Sequence, residues 1–310
     1  MRTMSSAAFL GLASLLLAGA ASAQQDDPGL ELPASFQHAR VFVHPVTADG
    51  DTLRLYTDTG GSLYFYRDAA DRLGLPARDT VVRGRSYRVT SFPEVIDPPG
   101  FPWVPGASPL LRPRDRIHRI AHPEADGLLG QAWFRHRVWT IDYPDEEMVL
   151  HRSSEAPALA AEHTVELGFP TDSAGRRRTG YASVEATIAG ETRPFLLDTG
   201  ATLILSEAGR EALGGPRVRA GSYVVASVFE RWREEHPEWR VVEGGSIYGG
   251  GAPLVRVPEV TIAGHTVGPV WFARRPDANF RRRMASMMDR PVDGALGGSL
   301  FRHFELTLDY

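Results

Sequence analysis

Residues 53–66 read LRLYTDTGGSLYFY, with the polar core Thr57-Asp58-Thr59-Gly60-Gly61-Ser62 set between two apolar runs. Alone, an Asp and a pair of Gly between β-rich runs describe a tight turn. The stretch gains a second meaning because it has a partner. Residues 195–206 read FLLDTGATLILS, so Asp198-Thr199-Gly200 repeats Asp58-Thr59-Gly60 at the end of another apolar run. A second pair follows: residues 126–143 read DGLLGQAWFRHRVWTIDY and residues 293–310 read DGALGGSLFRHFELTLDY. Each half has the same order: hairpin, D-T-G, apolar strand, helical run (67–73 and 207–213), β-rich middle, D-G-x-L-G, strand. Such self-similarity is the mark of a duplicated unit. The sequence predicts a lobe at 36–152, a linker at 153–162, a lobe at 163–310 and a polar N-terminal tail at 24–35. Residues 93–113, dense in Pro and Gly, read as an irregular covering loop. Residues 225–240 read as an amphipathic helix inserted in the second lobe, and the glycine-rich 244–251 as a hairpin tip.

Before the first lobe, a positive start, an apolar run at 7–18 and Ala21-Ser22-Ala23 describe a signal peptide at 1–23, cleaved before Gln24. The chain is therefore expected to be exported, to the periplasm or the extracellular space. It has no cysteine, so disulfides play no part in its stability. No later segment has the length of a membrane span. The formal net charge is −4, and all basic side chains among the 34 counted are arginines. The clusters at 176–178 and 281–283 read as solvated surface, and no nucleic-acid partner is expected. His236 lacks H-E-x-x-H spacing, Ser206 lacks a G-x-S-x-G setting, and no G-K-[ST] follows the glycine-rich run.

The paired D-T-G and D-G-x-L-G motifs, in shared order, resemble the pepsin and retropepsin-like aspartic protease superfamily. The pattern is most similar to bacterial exported two-lobe members with retropepsin-like lobes, and it covers nearly all of the mature chain. The resemblance implies a mainly β fold of two homologous β-barrel lobes with a cleft between them. It also implies a monomer acting as an internal pseudo-dimer, a peptide or protein substrate, and no metal or cofactor. Asp58 and Asp198 would form the catalytic dyad of an aspartic endopeptidase. Two carboxyls held together cannot both ionise, so one keeps a proton and the pair supplies acid and base at once. Thr59 and Thr199 match the threonines that brace the two loops, and Gly60 and Gly200 allow the backbone close to the carboxylates. Where pepsin-like members carry Ser or Thr, this chain has Gly61 and Ala201; alanine is the retropepsin choice. Gly61 implies a looser loop without a hydroxyl, for which Ser62 or Thr57 are candidate substitutes, and an upward shift of the dyad's pKa. Asp126 and Asp293, with Gly127, Gly130, Gly294 and Gly297, are read as packing elements. Tyr87 and Tyr248 are candidate flap residues facing substrate. Apolar side chains lining a β cleft point to hydrophobic residues around the cut. The other reading from the sequence is an aspartic-protease-like peptide-binding protein with weak or no turnover.

Overall fold

The computed structural model describes residues 29–82, 84–153, 156–248 and 250–310. The signal peptide at 1–23 and the start of the tail lie outside the described residues. The chain is mainly β. In the first half, seven strands are β1 (Val41–Val43), β2 (Leu55–Thr57), β3 (Tyr64–Tyr66), β4 (Arg78–Val82), β5 (Arg85–Val89), β6 (Leu110–Arg112) and β7 (Gly127–Leu129). They lie side by side as β1-β2-β7-β3-β6-β5-β4, with Ala34–Phe36 outside β1. In the second half come β8 (Ser183–Ile188), β9 (Glu191–Leu197), β10 (Ser222–Val225), β11 (Val241–Ser246), β12 (Ala252–Val257), β13 (Val270–Arg275) and β14 (Gly294–Leu296). Their order is β8-β9-β14-β10-β13-β12-β11, the first arrangement repeated strand for strand.

Both D-G-x-L-G strands are central. β7 lies parallel to β2 and antiparallel to β3; β14 lies parallel to β9 and antiparallel to β10. Every residue of β2, β3, β7 and β14 is buried, which explains their apolar runs without polar alternation. Neither sheet closes on itself, since β4 and β11 end as edges, so the expected barrels are open sheets.

The helix at Glu207–Leu213 forms as expected, but its equivalence to the 67–73 run does not hold. β3 runs directly into helix Arg67–Arg72, and its sheet counterpart β10 runs directly into helix Ala226–Glu235. Strands Thr202–Ile204 and Val218–Ala220, which flank Glu207–Leu213, pair only with each other in a two-stranded sheet. The extra segment of the second half therefore lies between Asp198 and β10, rather than at 225–240. Local pattern misled here because sheet membership depends on partners distant in sequence. The glycine-rich stretch does close the β11–β12 hairpin. Residues 93–113 are anchored: Phe101 packs edge-on against Trp103 at 4.6 Å, and Trp103 stacks on Phe92 at 4.4 Å.

The halves meet in a four-stranded sheet ordered Leu30–Glu31, Glu147–Leu150, Val138–Asp142, Glu305–Asp309. Within it, the strands that end the two repeated motifs, Val138–Asp142 and Glu305–Asp309, pair antiparallel, with Thr140 opposite Thr307 and their hydroxyls 3.0 Å apart. These two threonines occupy the same position of the repeated motif, so a local twofold axis passes between them. Trp133, Phe134, Trp139, Phe195 and Phe301, all buried, belong to one core shared by both halves. Among the described residues, no helix is long and apolar enough to cross a membrane.

Candidate active site

The loops after β2 and β9 meet near the same axis. Asp58 N–H donates to Leu129 O at 3.0 Å, and Asp198 N–H donates to Leu296 O at 2.9 Å, so each D-G-x-L-G strand fixes one aspartate. Gly61 N–H closes back on Asp58 O, and Ala201 N–H on Asp198 O, both at 3.0 Å. The two loops then grip each other. Thr59 Oγ1 accepts from Thr199 N–H at 2.9 Å, Thr199 Oγ1 accepts from Thr59 N–H at 3.2 Å, and Thr59 Oγ1 donates to Leu197 O at 2.8 Å. Both threonines are fully buried, so these bonds run in a low-dielectric setting where leaving them unmade is costly.

The Asp198 carboxyl lies against Gly60 and the Asp58 carboxyl against Gly200, so the two acids are brought together where the loops meet. Gly60 and Gly200 need to be glycine for space: a Cβ on Gly60 would lie 2.6 Å from Asp198 Oδ1, and one on Gly200 would overlap the Asp58 carboxyl. Burial raises Asp58 above the ordinary aspartate range, against the hydrogen bonds from Asp198 and the Gly60 amide. Burial also raises Asp198, reinforced by repulsion from Asp58 and the hydrogen bond between them. The pair holds a shared proton well above the pH at which a free aspartate would lose it, and it titrates as a unit. Asp58 Oδ1 is buried and has no protein hydrogen-bond partner.

Gly61 does not loosen its loop. A Cβ there would overlap Asp58 Oδ2 and lie 2.7 Å from Leu128 Cδ2, so the loop is too tight for any side chain. Nor is the missing hydroxyl replaced at Asp58. Thr57 Oγ1 donates to Val41 O at 3.0 Å, and the Ser62 hydroxyl lies near that of Tyr181. Asp126 and Asp293 lie apart from the dyad and act as anchors. Asp126 accepts from Arg54 N–H at 2.9 Å and from Arg72 at 2.6 Å; Asp293 accepts from Arg193 at 2.8 Å and Arg281 at 2.7 Å.

Above the dyad opens a cleft of about 540 Å³. Tyr248, at the tip of the β11–β12 hairpin, lines it. Tyr87 does not: it faces a separate groove with Arg78 and Val82 on the β4–β5 hairpin. The cleft has apolar walls in Ile117, Leu128, Phe280 and Met284, but Arg112, Arg275 and Arg283 also face it. The expected hydrophobic lining is thus incomplete. The 281–283 cluster is not simply solvated either, since Arg281 pairs with Asp277 and Asp293 while Arg283 reaches the cleft. Sequence reading also missed Tyr56, whose hydroxyl crosses from the first half to donate to Gly200 O at 2.9 Å. Its position two residues before Asp58 was visible, but its reach across the interface was not.

No protein-family model matches the chain, and no curated protein matches it. Among solved structures, the chain is similar to an aspartic proteinase from Irpex lacteus at 11% identity and a TM-score of 0.40, covering 88% of this chain and 92% of that one. At that level of likeness, the geometry of the two aspartates carries the functional reading.

Proposed function

We propose that the protein is an aspartic endopeptidase that hydrolyses peptide bonds with a water activated by Asp58 and Asp198. The observation that carries this reading is the pair of half-buried, facing carboxyls whose pKa values are both raised, at the floor of a cleft. With one proton shared between them, the ionised member takes a proton from water as its oxygen attacks the peptide carbonyl carbon. The protonated member gives its proton to the carbonyl oxygen, producing a geminal diol. On breakdown, a carboxyl protonates the leaving nitrogen, the C–N bond breaks, and the diol returns a proton to the dyad. One water is consumed and the pair is restored. Substrate would lie extended across the cleft, held by main-chain bonds as an added strand is. The reading carries with it an exported monomer divided at 153–162, whose lobes act as an internal pseudo-dimer.

The test is a mixed peptide library incubated from pH 3 to 7 with the mature protein, Asp58→Asn and Asp198→Asn. Cleavage at mildly acid pH, lost in both variants, is the expected result. Loss in only one variant contradicts a shared dyad. Peptide binding without cleavage by the native protein assigns it to the peptide-binding class.

A further inference from the structure

Sheet register makes Arg112 and Arg275 the same residue in two settings. Leu128 of β7 faces Tyr64, and Ala295, its counterpart in the repeated motif, faces Tyr223. One step outward, Tyr66 faces Arg112 across the parallel β3–β6 pair, and Val225 faces Arg275 across β10–β13. Tyr64 thus corresponds to Tyr223, and Arg112 to Arg275. The side chains repeat the relation. The Arg112 guanidinium lies 5.1 Å from the Tyr64 ring centre, and that of Arg275 lies 4.1 Å from Tyr223. All four line the cleft that holds the dyad.

Among the described residues, no carboxylate forms an ion pair with Arg112, Arg275 or Arg283. Arg112 and Arg283 are exposed and can be hydrated, but Arg275 is only 3% exposed. Its Nη1 donates to Tyr248 O at 3.3 Å, while Nη2 is buried with no hydrogen-bond partner among the described residues. A second ring, Tyr248 at 4.5 Å, fixes the guanidinium from another side. Buried charges are ordinarily paired, so an unpaired, ring-clamped fork calls for a planar anion. Among the described residues, the only carboxylates lining the cleft are those of the dyad, which share a proton, so the cleft is cationic in a chain of net charge −4.

We propose that this cleft recognises substrate carboxylates: an acidic residue of the bound peptide docks on Arg275, and Arg112 offers an equivalent, more exposed site across the dyad. This inference rests on the peptide-cleaving reading above for the direction of the substrate, but its binding step can be measured without turnover. A guanidinium fork meets a carboxylate through two parallel hydrogen bonds, which neutral amides do not reproduce.

The test uses the full mature protein carrying Asp58→Asn and fluorescent octapeptides, amidated at the C-terminus, with a single Glu or Gln at each position in turn. At pH 6, Glu is expected to bind about 10-fold tighter than Gln in at least one position. That ratio should fall to about 2 or less when Arg275→Gln is added, and recover in part with Arg275→Lys. It should also fade near pH 3.5, below the ordinary glutamate pKa of about 4.3. Arg112→Gln, at an exposed site, serves as the second variant should Arg275→Gln fail to fold, and is expected to abolish the preference at a different position. Free-acid peptides run alongside: a preference found only with them assigns the site to a C-terminal carboxylate. Equal binding of Glu and Gln peptides, no binding of either, or a ratio indifferent to both arginines overturns the proposal. Acidic preference in a native protein that cleaves nothing defeats the protease reading alone; cleavage without that preference defeats this one alone.

Discussion

Gly61→Ala adds one carbon at a crowded point of the loop that carries Asp58. Gly61 is not among the residues with positive φ, so its backbone accepts any side chain and the restriction is purely spatial. The new Cβ would overlap Asp58 Oδ2 and sit 2.7 Å from both Asp58 Cγ and Leu128 Cδ2, well inside contact distance. The second half holds an alanine at the equivalent position, and there Leu128 is replaced by Ala295. Gly61 with Leu128 and Ala201 with Ala295 are therefore two ways of dividing one volume. Overpacking of this kind costs about 1–3 kcal/mol. Leu128→Ala alone, at a buried site on the cleft wall, costs about 2–3 kcal/mol. If the volumes are shared, the double variant should be no less stable than Leu128→Ala, a coupling of at least about 1 kcal/mol. Urea unfolding of all four proteins at pH 6 measures the cycle. Peptide cleavage adds a second readout, because relief of the overlap by turning Asp58 aside should slow Gly61→Ala by about 100-fold. Additive stabilities, or a Gly61→Ala protein with native stability and rate, would refute the volume-sharing argument.

Other outcomes follow from the dyad and its supports. Both carboxyls have raised pKa values in the fold, so folding binds more protons than the unfolded chain between the unfolded and folded pKa. Their contribution is fully present below about pH 4 and is lost as pH rises through the folded values. Asp58→Asn should therefore gain melting temperature relative to the native protein between pH 4 and 7.5, as read by calorimetry; a pH-independent difference contradicts the burial argument. Thr59→Val keeps the shape but removes the acceptor of Thr199 N–H, and should cost about 2–3 kcal/mol in urea unfolding. Asp293→Asn leaves Arg193 and Arg281 short of their shared counter-charge, and should lower stability by about 2 kcal/mol without moving the pH profile of cleavage. Tyr248→Ala should raise KM several-fold, whereas Tyr87→Ala, outside the cleft, should change it by less than about 2-fold; the reverse order would exchange their roles.

The aspartates were legible in the sequence because their evidence is doubled. Asp58 alone was a turn residue, and Asp198 with two D-G-x-L-G strands made it half of a pair that the fold does bring together. Helix Glu207–Leu213 was legible as a helix but not in its placement, since a helical run is a local pattern while β10 is positioned by a strand about 70 residues later. Gly61 was legible as a departure, yet its cause was not. Reading a missing hydroxyl as looseness ignored Leu128, which fills the space from a strand far along the chain. The arginines of the cleft were hidden for the same reason: Arg112 and Arg275 share no local motif, and only strand register shows them to be equivalent.

The duplicated halves are symmetric where they hold the carboxyls and asymmetric where substrate would lie. Two groups that share one proton must face each other across a short gap, and the reciprocal threonine bonds and paired glycines achieve that by using one design twice. A peptide, however, has a direction, and a perfectly twofold cleft would accept it either way round with equal affinity. The walls of this cleft are not twofold. Arg275 is buried and clamped by Tyr248, while Arg112 is exposed and its hairpin tyrosine, Tyr87, faces elsewhere. Tyr56 reaches across to the Asp198 loop, and its counterpart in the repeat, Leu196, has no hydroxyl with which to return the bond. The extra strands at 202–204 and 218–220 thicken only the second half. Each of these differences breaks the twofold equivalence, so a chain laid N-to-C would meet different partners from one laid C-to-N. In the proposed reaction, direction would thus come from the walls, which lets the dyad itself remain close to symmetric.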